Sequence, residues 1–271
     1  MIIDRGWPVG FSEGMMRAYG EYVDIVKIGI RHIHQPEEVV RDKVKMYKKY
    51  GVEVQAGGPL MEIGRAEGKG ELVLESLRSL GFDSLEISSE AKPTNEVDED
   101  RKFAELCKKH GLKIYGEAGK KFPEGDRTRS APGTIDVEGA VQEINALLGM
   151  GAVKVYFEGH VSRMVLGEMG ENKEGGRQIE KLAEKVGQDN LIFEVPMTYA
   201  TYASKRALTW FFVRTFGPEV NLGNISYEEL PEAEEIRGGV FPVTGATGGN
   251  HPWIHALTTT GSTEDWWKVK N

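Results

Sequence analysis

Four glutamates near the ends of short apolar runs are the residues of this chain best suited to chemistry: Glu86, Glu117, Glu158 and Glu194. Close carboxylates raise one another's pKa, so a group of them needs cations as neighbours. One candidate is Mg²⁺, which prefers oxygen ligands, and the other is a set of lysine and arginine side chains. We expect Glu86, Glu117 and Glu158 to be Mg²⁺ ligands, directly or through water. Glu117 is also a candidate catalytic residue, and Glu194 is a candidate substrate-binding residue.

Three lysines near the same runs are candidate anion binders or proton donors. Lys27 lies in the sequence D-x-V-K-x-G at 24–29. An ammonium group inside an apolar strand is unfavourable unless it meets an anion, here a glutamate or a substrate carboxylate or phosphate. Lys120 and Lys121 follow Glu117 in EAGKK. One of them would bind an anion while the other transfers protons as a general acid, and the alternative is a pair of solvated loop lysines.

Polar residues after the sixth and eighth runs are further candidates for binding substrate. His160 follows Glu158, Arg163 lies three residues further on, and both are candidate rim groups for an incoming anion. Asn221 and Asn224 flank Gly223, where glycine permits a close approach of the backbone to a ligand. We found no P-loop, no dinucleotide-binding glycine pattern and no CxxC motif in the sequence.

Eight short apolar runs, each with a polar residue near its end, must position these groups. A polar or charged side chain at the end of a buried strand is unfavourable unless that end opens into a site, so eight such ends predict one shared pocket at the mouth of a (β/α)8 barrel. The runs are MIID (1–4), VDIVKIG (23–29), VEVQAGG (52–58), SLEIS (84–88), KIYGEAG (113–119), AVKVYFEG (152–159), LIFEVP (191–196) and VNLGNI (220–225). Their polar positions are Asp4, Lys27, Gln55, Glu86, Glu117, Glu158, Glu194 and Asn221.

Amphipathic stretches with helical period separate the runs and favour an α/β fold with a parallel sheet. They cover 36–51, 70–81, 95–111, 136–151, 177–187, 199–217 and 227–239, the last interrupted by Pro231. Eight units favour closure into a barrel over the alternative, an open doubly wound sheet.

We expect one catalytic barrel domain at 1–242 and a C-terminal extension at 243–271. The extension is rich in Gly and Thr and carries Trp253, Trp266 and Trp267, so it is expected to pack on the barrel or on a neighbouring subunit. The charged loop at 120–134 follows the fifth run and is expected to lie over the pocket as a lid.

Composition narrows the class of protein. The net charge of −8 argues against a general nucleic-acid binder, although a pocket inside an acidic protein can still be locally basic. The single cysteine, Cys107, cannot form an internal disulfide and fits a reducing compartment. Since no apolar run reaches transmembrane length, we expect a cytoplasmic protein without a membrane or nucleic-acid partner. The apolar helix at 205–216 and the tryptophan-rich tail suggest a subunit contact and hence a homo-oligomer, and the alternative is that both are buried within one chain.

The chain resembles the phosphosulfolactate synthase family over about residues 1–238. The matching motifs follow one another in the family's order at the ends of the predicted strands. They are Asp4-Arg5-Gly6, D-x-V-K-x-G (24–29), GGPLME (57–62), LGFDSLEIS (80–88), EAGKK (117–121), GAVKVYFEG (151–159), IFEVP (192–196) and FGPEVNLGNI (216–225).

The resemblance implies a (β/α)8 barrel that catalyses the Mg²⁺-dependent addition of sulfite to phosphoenolpyruvate, a carbon–sulfur lyase reaction of coenzyme M biosynthesis. Sulfite attacks the methylene carbon, cations stabilise the charge that develops on the carboxylate side, and a lysine protonates the resulting enolate carbon. The position that matches the family's proposed acid is the second lysine of the GKK motif, Lys121. Lys27 and Lys120 are then the expected anion binders.

The chain departs from the family pattern in three places. The sixth run is followed by His160-Val161-Ser162-Arg163 where the family has Arg-Glu-Ser-Gly, so Arg163 is a candidate replacement for the missing cation. The family's polar run after the seventh strand is replaced at 197–200, and its arginine-rich segment is replaced at 237–242. These departures motivate an alternative, a diverged relative acting on another enol or α-keto acid with a different nucleophile. An alternative of another class is a non-catalytic binding or stress-related family member.

Overall fold

The strands form a parallel barrel in which each strand pairs with the next one in the sequence. The structure is a computed structural model that describes residues 1–88, 97–119, 133–197 and 200–239. Ile2 bridges to Ile225 in parallel, and the Ile3 amide donates to the Ile225 carbonyl at 2.9 Å, so the last strand meets the first. The strands are β1 (Ile2–Asp4), β2 (Ile25–Ile28), β3 (Glu53–Ala56), β4 (Ser84–Ile87), β5 (Lys113–Ala118), β6 (Val155–Phe157), β7 (Leu191–Glu194) and β8 (Leu222–Gly223). The predicted (β/α)8 fold is confirmed.

Helices follow the strands and cover the outside of the barrel. Those of the described residues are α1 (Val9–Tyr19), α2 (Glu37–Lys49), α3 (Gly58–Ala66), α4 (Gly70–Leu80), α5 (Val97–Lys109), α6 (Val137–Gly149), α7 (Gly159–Leu166), α8 (Lys173–Val186), α9 (Tyr202–Phe216) and α10 (Leu230–Arg237). The sequence analysis did not predict α1, α3 or α7. Helices α3 and α7 begin directly after their strands, so their N-termini lie beside the strand ends.

Local capping explains where several helices begin. The side chain of Asn172 accepts from the Gly175 amide, so α8 starts a turn earlier than its apolar period suggests. Thr201 caps α9 in the same way through the Ser204 amide. Pro231 does not interrupt the last helix, because it occupies the first turn of α10, where a missing amide hydrogen costs nothing.

The barrel interior is apolar at the bottom and charged at the top. Its small apolar cluster consists of Ile25, Tyr115, Tyr156 and Ile192, with Met1 packed against it. Because side chains alternate along a strand, the residues two positions further along β2, β5 and β7 also face inward. These are Lys27, Glu117 and Glu194, so the strands carry their charges to one end of the barrel.

Within the described ranges, no helix is long and apolar enough to cross a membrane. The predicted extension at 243–271 and residues 120–132 of the predicted lid lie outside the described residues, so these two expectations stay predictions.

Candidate active site

Lys27 is the central cation of the barrel interior. Its Nζ donates to Glu86 Oε2 at 2.5 Å and to Glu194 Oε1 at 2.8 Å, and it lies 4.3 Å from the centroid of the Tyr156 ring. Burial alone would lower the pKa of Lys27, but the Glu194 and Glu86 carboxylates outweigh burial and hold that pKa well above its usual value. Lys27 is therefore a permanent ammonium ion shared by two carboxylates.

The carboxylates outnumber this ammonium group. One oxygen from each of Glu86, Glu117 and Glu194 lies within 4.8 Å of the others, and all three side chains are buried. Burial raises the pKa of Glu117 well above its usual value, and the charges of neighbouring glutamates raise it further. Burial likewise raises the pKa of Glu194, to about 7, although Lys27 opposes this. As far as the structure describes the pocket, it is thus short of positive charge.

Two of the glutamates also bind the N-termini of short helices. Glu86 Oε1 accepts from the Gly58 amide at 3.2 Å, at the start of α3. Glu158 Oε1 accepts from the His160 amide at 2.8 Å and caps α7. A side chain at position 58 would place its Cβ 2.6 Å from Glu86 Oε1, so glycine is required for this approach. The helix N-termini therefore fix the orientation of both carboxylates.

Tyr156 and Gln55 form a polar layer beneath Lys27. The Tyr156 hydroxyl donates to Gln55 Oε1 at 2.8 Å, and neither side chain is exposed. Burial raises the pKa of Tyr156 well above its usual value, so the hydroxyl stays protonated. The sequence analysis did not propose Tyr156 for the site. The signal was present, because Tyr156 precedes Glu158 by two residues and so shares its face of the strand.

The structure brings together only part of the predicted site. Lys27, Glu86, Glu117 and Glu194 meet inside the barrel, as expected of residues sharing one pocket. The group of three close carboxylates contains Glu194 where we expected Glu158, whose carboxylate caps α7. Lys120 and Lys121 lie outside the described residues, so their roles stay predictions.

Three other predicted substrate-binding residues, Arg163, His160 and Asn224, lie in places that differ from one another. Arg163 pairs with Glu168 at 2.9 Å, beyond the end of α7, while His160 lies in the first turn of that helix. Asn224 is buried with a left-handed backbone, φ 58°, and its Oδ1 has no hydrogen-bond partner among the described residues.

The prediction that Asn221 binds substrate disagrees with the structure. Its Nδ2 donates to the carbonyl of Leu191 at 3.0 Å, at the start of β7 and therefore away from the mouth. The reason is that the last strand continues past Asn221, through β8 to the bridge at Ile225.

Asp4 also lies outside the shared pocket, against the expectation that all eight strand ends open into it. Its Oδ2 accepts from Lys43 Nζ at 2.7 Å and from the Tyr47 hydroxyl at 2.6 Å, and both residues belong to α2. Burial alone would raise the pKa of Asp4, but His32 and Lys43 hold it well below its usual range. Asp4 therefore faces the helices and joins the strand to α2.

The fold and the site together define a class of protein. A closed parallel barrel whose inward side chains carry charges to one end has the architecture of a (β/α)8-barrel enzyme. Solved structures support the fold alone. Dihydropteroate synthase from Thermus thermophilus is similar with a TM-score of 0.54 at 15% identity, covering 88% of this chain and 91% of that one. Thiamine phosphate pyrophosphorylase from Pyrococcus furiosus is similar with a TM-score of 0.50 at 10% identity, covering 89% and 95%.

Sequence comparison then identifies the family. The family model for (2R)-phospho-3-sulfolactate synthase (ComA) matches residues 1–241, and the chain belongs to this family. Phosphosulfolactate synthase from Methanocaldococcus jannaschii is 30% identical over 242 residues, which cover 89% of this chain and 90% of the relative. The synthase from Methanothermobacter thermautotrophicus is 31% identical over 245 residues, with coverages of 89% and 88%. The resemblance described from the motifs is confirmed, and the family is one of enzymes with small anionic substrates.

Proposed function

We propose that this chain catalyses the Mg²⁺-dependent addition of sulfite to phosphoenolpyruvate, forming 2-phospho-3-sulfolactate. The observation that carries the proposal is the buried cluster of Lys27, Glu86, Glu117 and Glu194 at the end of a barrel of this family. Converging charges at the carboxyl ends of barrel strands are where enzymes of this fold place their chemistry.

The acidic cluster fits Mg²⁺ by the chemistry of its donors. Its three neighbouring oxygens belong to Glu86, Glu117 and Glu194, and carboxylate oxygens are the ligands that this ion prefers. The raised pKa of Glu117 reflects the same shortage of positive charge that a divalent cation would relieve. Mg²⁺ bound there would supply electrostatic stabilisation of charge on the substrate carboxylate. Glu158 remains a proposed ligand through water, while its carboxylate caps α7.

The proposed reaction forms one carbon–sulfur bond and transfers one proton. The sulfite sulfur lone pair attacks the methylene carbon of phosphoenolpyruvate, and the π electrons move onto the carboxylate side as an enolate. A protonated lysine then delivers its proton to the carbon that bears the phosphate. Lys121 is the proposed donor, on the strength of the family resemblance. Lys27 is a poor proton donor for this step, because the carboxylates of Glu86 and Glu194 hold its proton.

Product analysis tests the proposal. The purified chain is incubated with phosphoenolpyruvate, sulfite and Mg²⁺, and 2-phospho-3-sulfolactate is sought by mass spectrometry and ³¹P NMR. Parallel incubations omit sulfite, omit Mg²⁺ with chelator added, or replace the enzyme with the Lys121→Ala variant. We expect product only in the complete mixture. A complete mixture that yields none at high enzyme loading would favour the diverged relative acting on another enol or α-keto acid.

A further inference from the structure

Within the described residues, the charge balance of the pocket leaves an anionic substrate without an available cation. Lys27 is the basic residue of the carboxylate cluster in that part of the chain, and two glutamates already occupy its ammonium group. Several other basic residues that follow the strands are also engaged in ion pairs. These pairs are Arg65–Asp100, Arg163–Glu168, Lys205–Glu229 and Arg206–Glu232. A phosphate or carboxylate that enters beside several glutamates needs a further positive group.

Arg5 differs from these residues because its charge is not used by the described part of the chain. Arg5 follows β1 directly. Its side chain makes no ion pair or hydrogen bond with the described residues, and its Nη2 is buried without a partner. A guanidinium nitrogen removed from water without a partner is unfavourable, so Arg5 is a candidate for binding a ligand that brings the missing acceptor.

Continued one residue past the end of β1, strand alternation predicts that Arg5 lies on the inner face of the barrel. Met1 packs with the interior cluster, and Ile3 is paired in register with Lys27. Asp4 faces the opposite way, toward α2. Arg5 is the next residue after Ile3 on the inward side, at the carboxyl end of the strand.

The backbone around Arg5 is held rigidly. Asp4 Oδ1 accepts from the Gly6 amide at 2.8 Å and from the Trp7 amide at 3.1 Å, which closes a turn around Arg5. Gln35 Nε2 donates to the Gly6 carbonyl at 3.1 Å and ties this turn to the loop after β2. Gly6 has a φ of 101°, a backbone conformation that residues with a side chain rarely adopt. Asp4 therefore fixes the position of the residue that follows it.

We propose that Arg5 binds an anionic group of the substrate, a phosphate or a carboxylate, at the inner edge of the mouth next to β1. Guanidinium groups match both oxyanions with two parallel hydrogen bonds, and a fixed backbone reduces the entropy lost on binding. The identity of the ligand as phosphoenolpyruvate rests on the proposed function, whereas the binding of an oxyanion by Arg5 does not.

Calorimetric titration tests this assignment separately from turnover. Phosphoenolpyruvate, inorganic phosphate and pyruvate are titrated into wild type, Arg5→Ala, Arg5→Lys and a matched control, Arg17→Ala. Arg17 is an exposed arginine in the last turn of α1, at the opposite end of the barrel. Thermal unfolding of each variant checks that it is folded.

We expect Arg5→Ala to raise the Kd for phosphoenolpyruvate about 10- to 100-fold, with partial rescue in Arg5→Lys and no change in Arg17→Ala. The ligand that loses affinity, phosphate or pyruvate, identifies the group that Arg5 binds. A folded Arg5→Ala that binds all three ligands as well as Arg17→Ala does would overturn the assignment.

Turnover by the wild type separates this proposal from the proposed function. Wild type that binds phosphoenolpyruvate through Arg5 but forms no product with sulfite supports the assignment and contradicts the proposed reaction. Wild type that binds none of the three anions contradicts both.

Discussion

Replacing Lys27 by methionine removes the positive charge shared by Glu86 and Glu194 while keeping most of the side-chain volume. Breaking a buried ion pair by removing one partner typically costs about 3 to 5 kcal/mol, because the remaining charge is left uncompensated. Here two carboxylates lose their shared partner, at 2.5 and 2.8 Å. We therefore expect the free energy of unfolding of Lys27→Met to fall by at least this amount, about 3 to 5 kcal/mol, near pH 8.

The same substitution makes stability depend on pH in a predictable direction. The pKa of Glu194 is about 7 in the folded chain against a reference value of 4.5, so the folded state binds the extra proton between these values. The contribution of the Glu194 proton to stability is therefore lost as pH rises from about 4.5 to about 7. Without Lys27 the pKa rises further and the loss extends to higher pH. We expect the deficit of Lys27→Met to shrink to about 1 to 2 kcal/mol near pH 5, where Glu194 is protonated in the folded chain.

Urea unfolding followed by circular dichroism, in metal-free buffer at both pH values, measures this deficit. The control is Lys45→Met in α2, whose side chain is 66% exposed and whose partner Asp42 lies at 4.0 Å. We expect the control to stay within about 0.5 kcal/mol of wild type. A Lys27→Met deficit below about 1 kcal/mol that is equal at both pH values would refute the reasoning, because a buried shared ammonium cannot be so easily replaced.

Three further predictions concern the Tyr156–Gln55 hydrogen bond, the backbone at Gly58 and the binding of Mg²⁺. Tyr156→Phe removes the hydroxyl that donates to Gln55 and leaves a buried amide oxygen unpaired, so urea unfolding should show a loss of about 1 to 3 kcal/mol; an unchanged midpoint would argue against this hydrogen bond. Gly58→Ala places a Cβ 2.6 Å from Glu86 Oε1 and closer still to Ser88 Oγ, so kcat should fall. The control is Gly10→Ala at an exposed position, where the added Cβ meets no atom within 4 Å and kcat should not change. Equal rates in both variants would contradict the close approach at Gly58. Mg²⁺ at a hundredfold excess over its Kd should stabilise the folded wild type by about 3 kcal/mol and so raise its thermal midpoint. We expect no such rise in Glu117→Gln, and a rise that persists in this variant would place the ion elsewhere.

The order of strands and helices could be predicted from the sequence because apolar runs and helical periods are local signals. Helices α3 and α7 escaped prediction because they are short, begin with glycine and follow their strands without a loop. Pro231 looked like an interruption because the pattern alone does not show that it lies in the first turn of α10. Such boundaries depend on capping contacts, which only the fold brings together.

The candidate site was predictable where a charge lies on an inward strand position. Lys27, Glu117 and Glu194 belong to this group, and their polarity inside apolar runs was a sufficient signal. The direction of Asp4 was not predictable, because a charge at a strand end is equally compatible with a partner in the helix layer, here Lys43. Arg5 was part of a family motif but was not proposed for the site, because a single arginine after a short strand resembles many surface arginines until its buried, unpartnered nitrogen is seen.

The initial rate of 2-phospho-3-sulfolactate formation in wild type and in Glu117→Gln tests the central claim most directly. The variant removes one ionisable carboxyl from the buried cluster and changes little in size, and circular dichroism shows whether it is folded. If the interior cluster is the active site for sulfite addition, wild type forms product and the folded variant is slower by at least about a hundredfold, as expected when a group that supports metal-assisted charge stabilisation is lost. A folded Glu117→Gln enzyme that forms product at the wild-type rate would contradict the account.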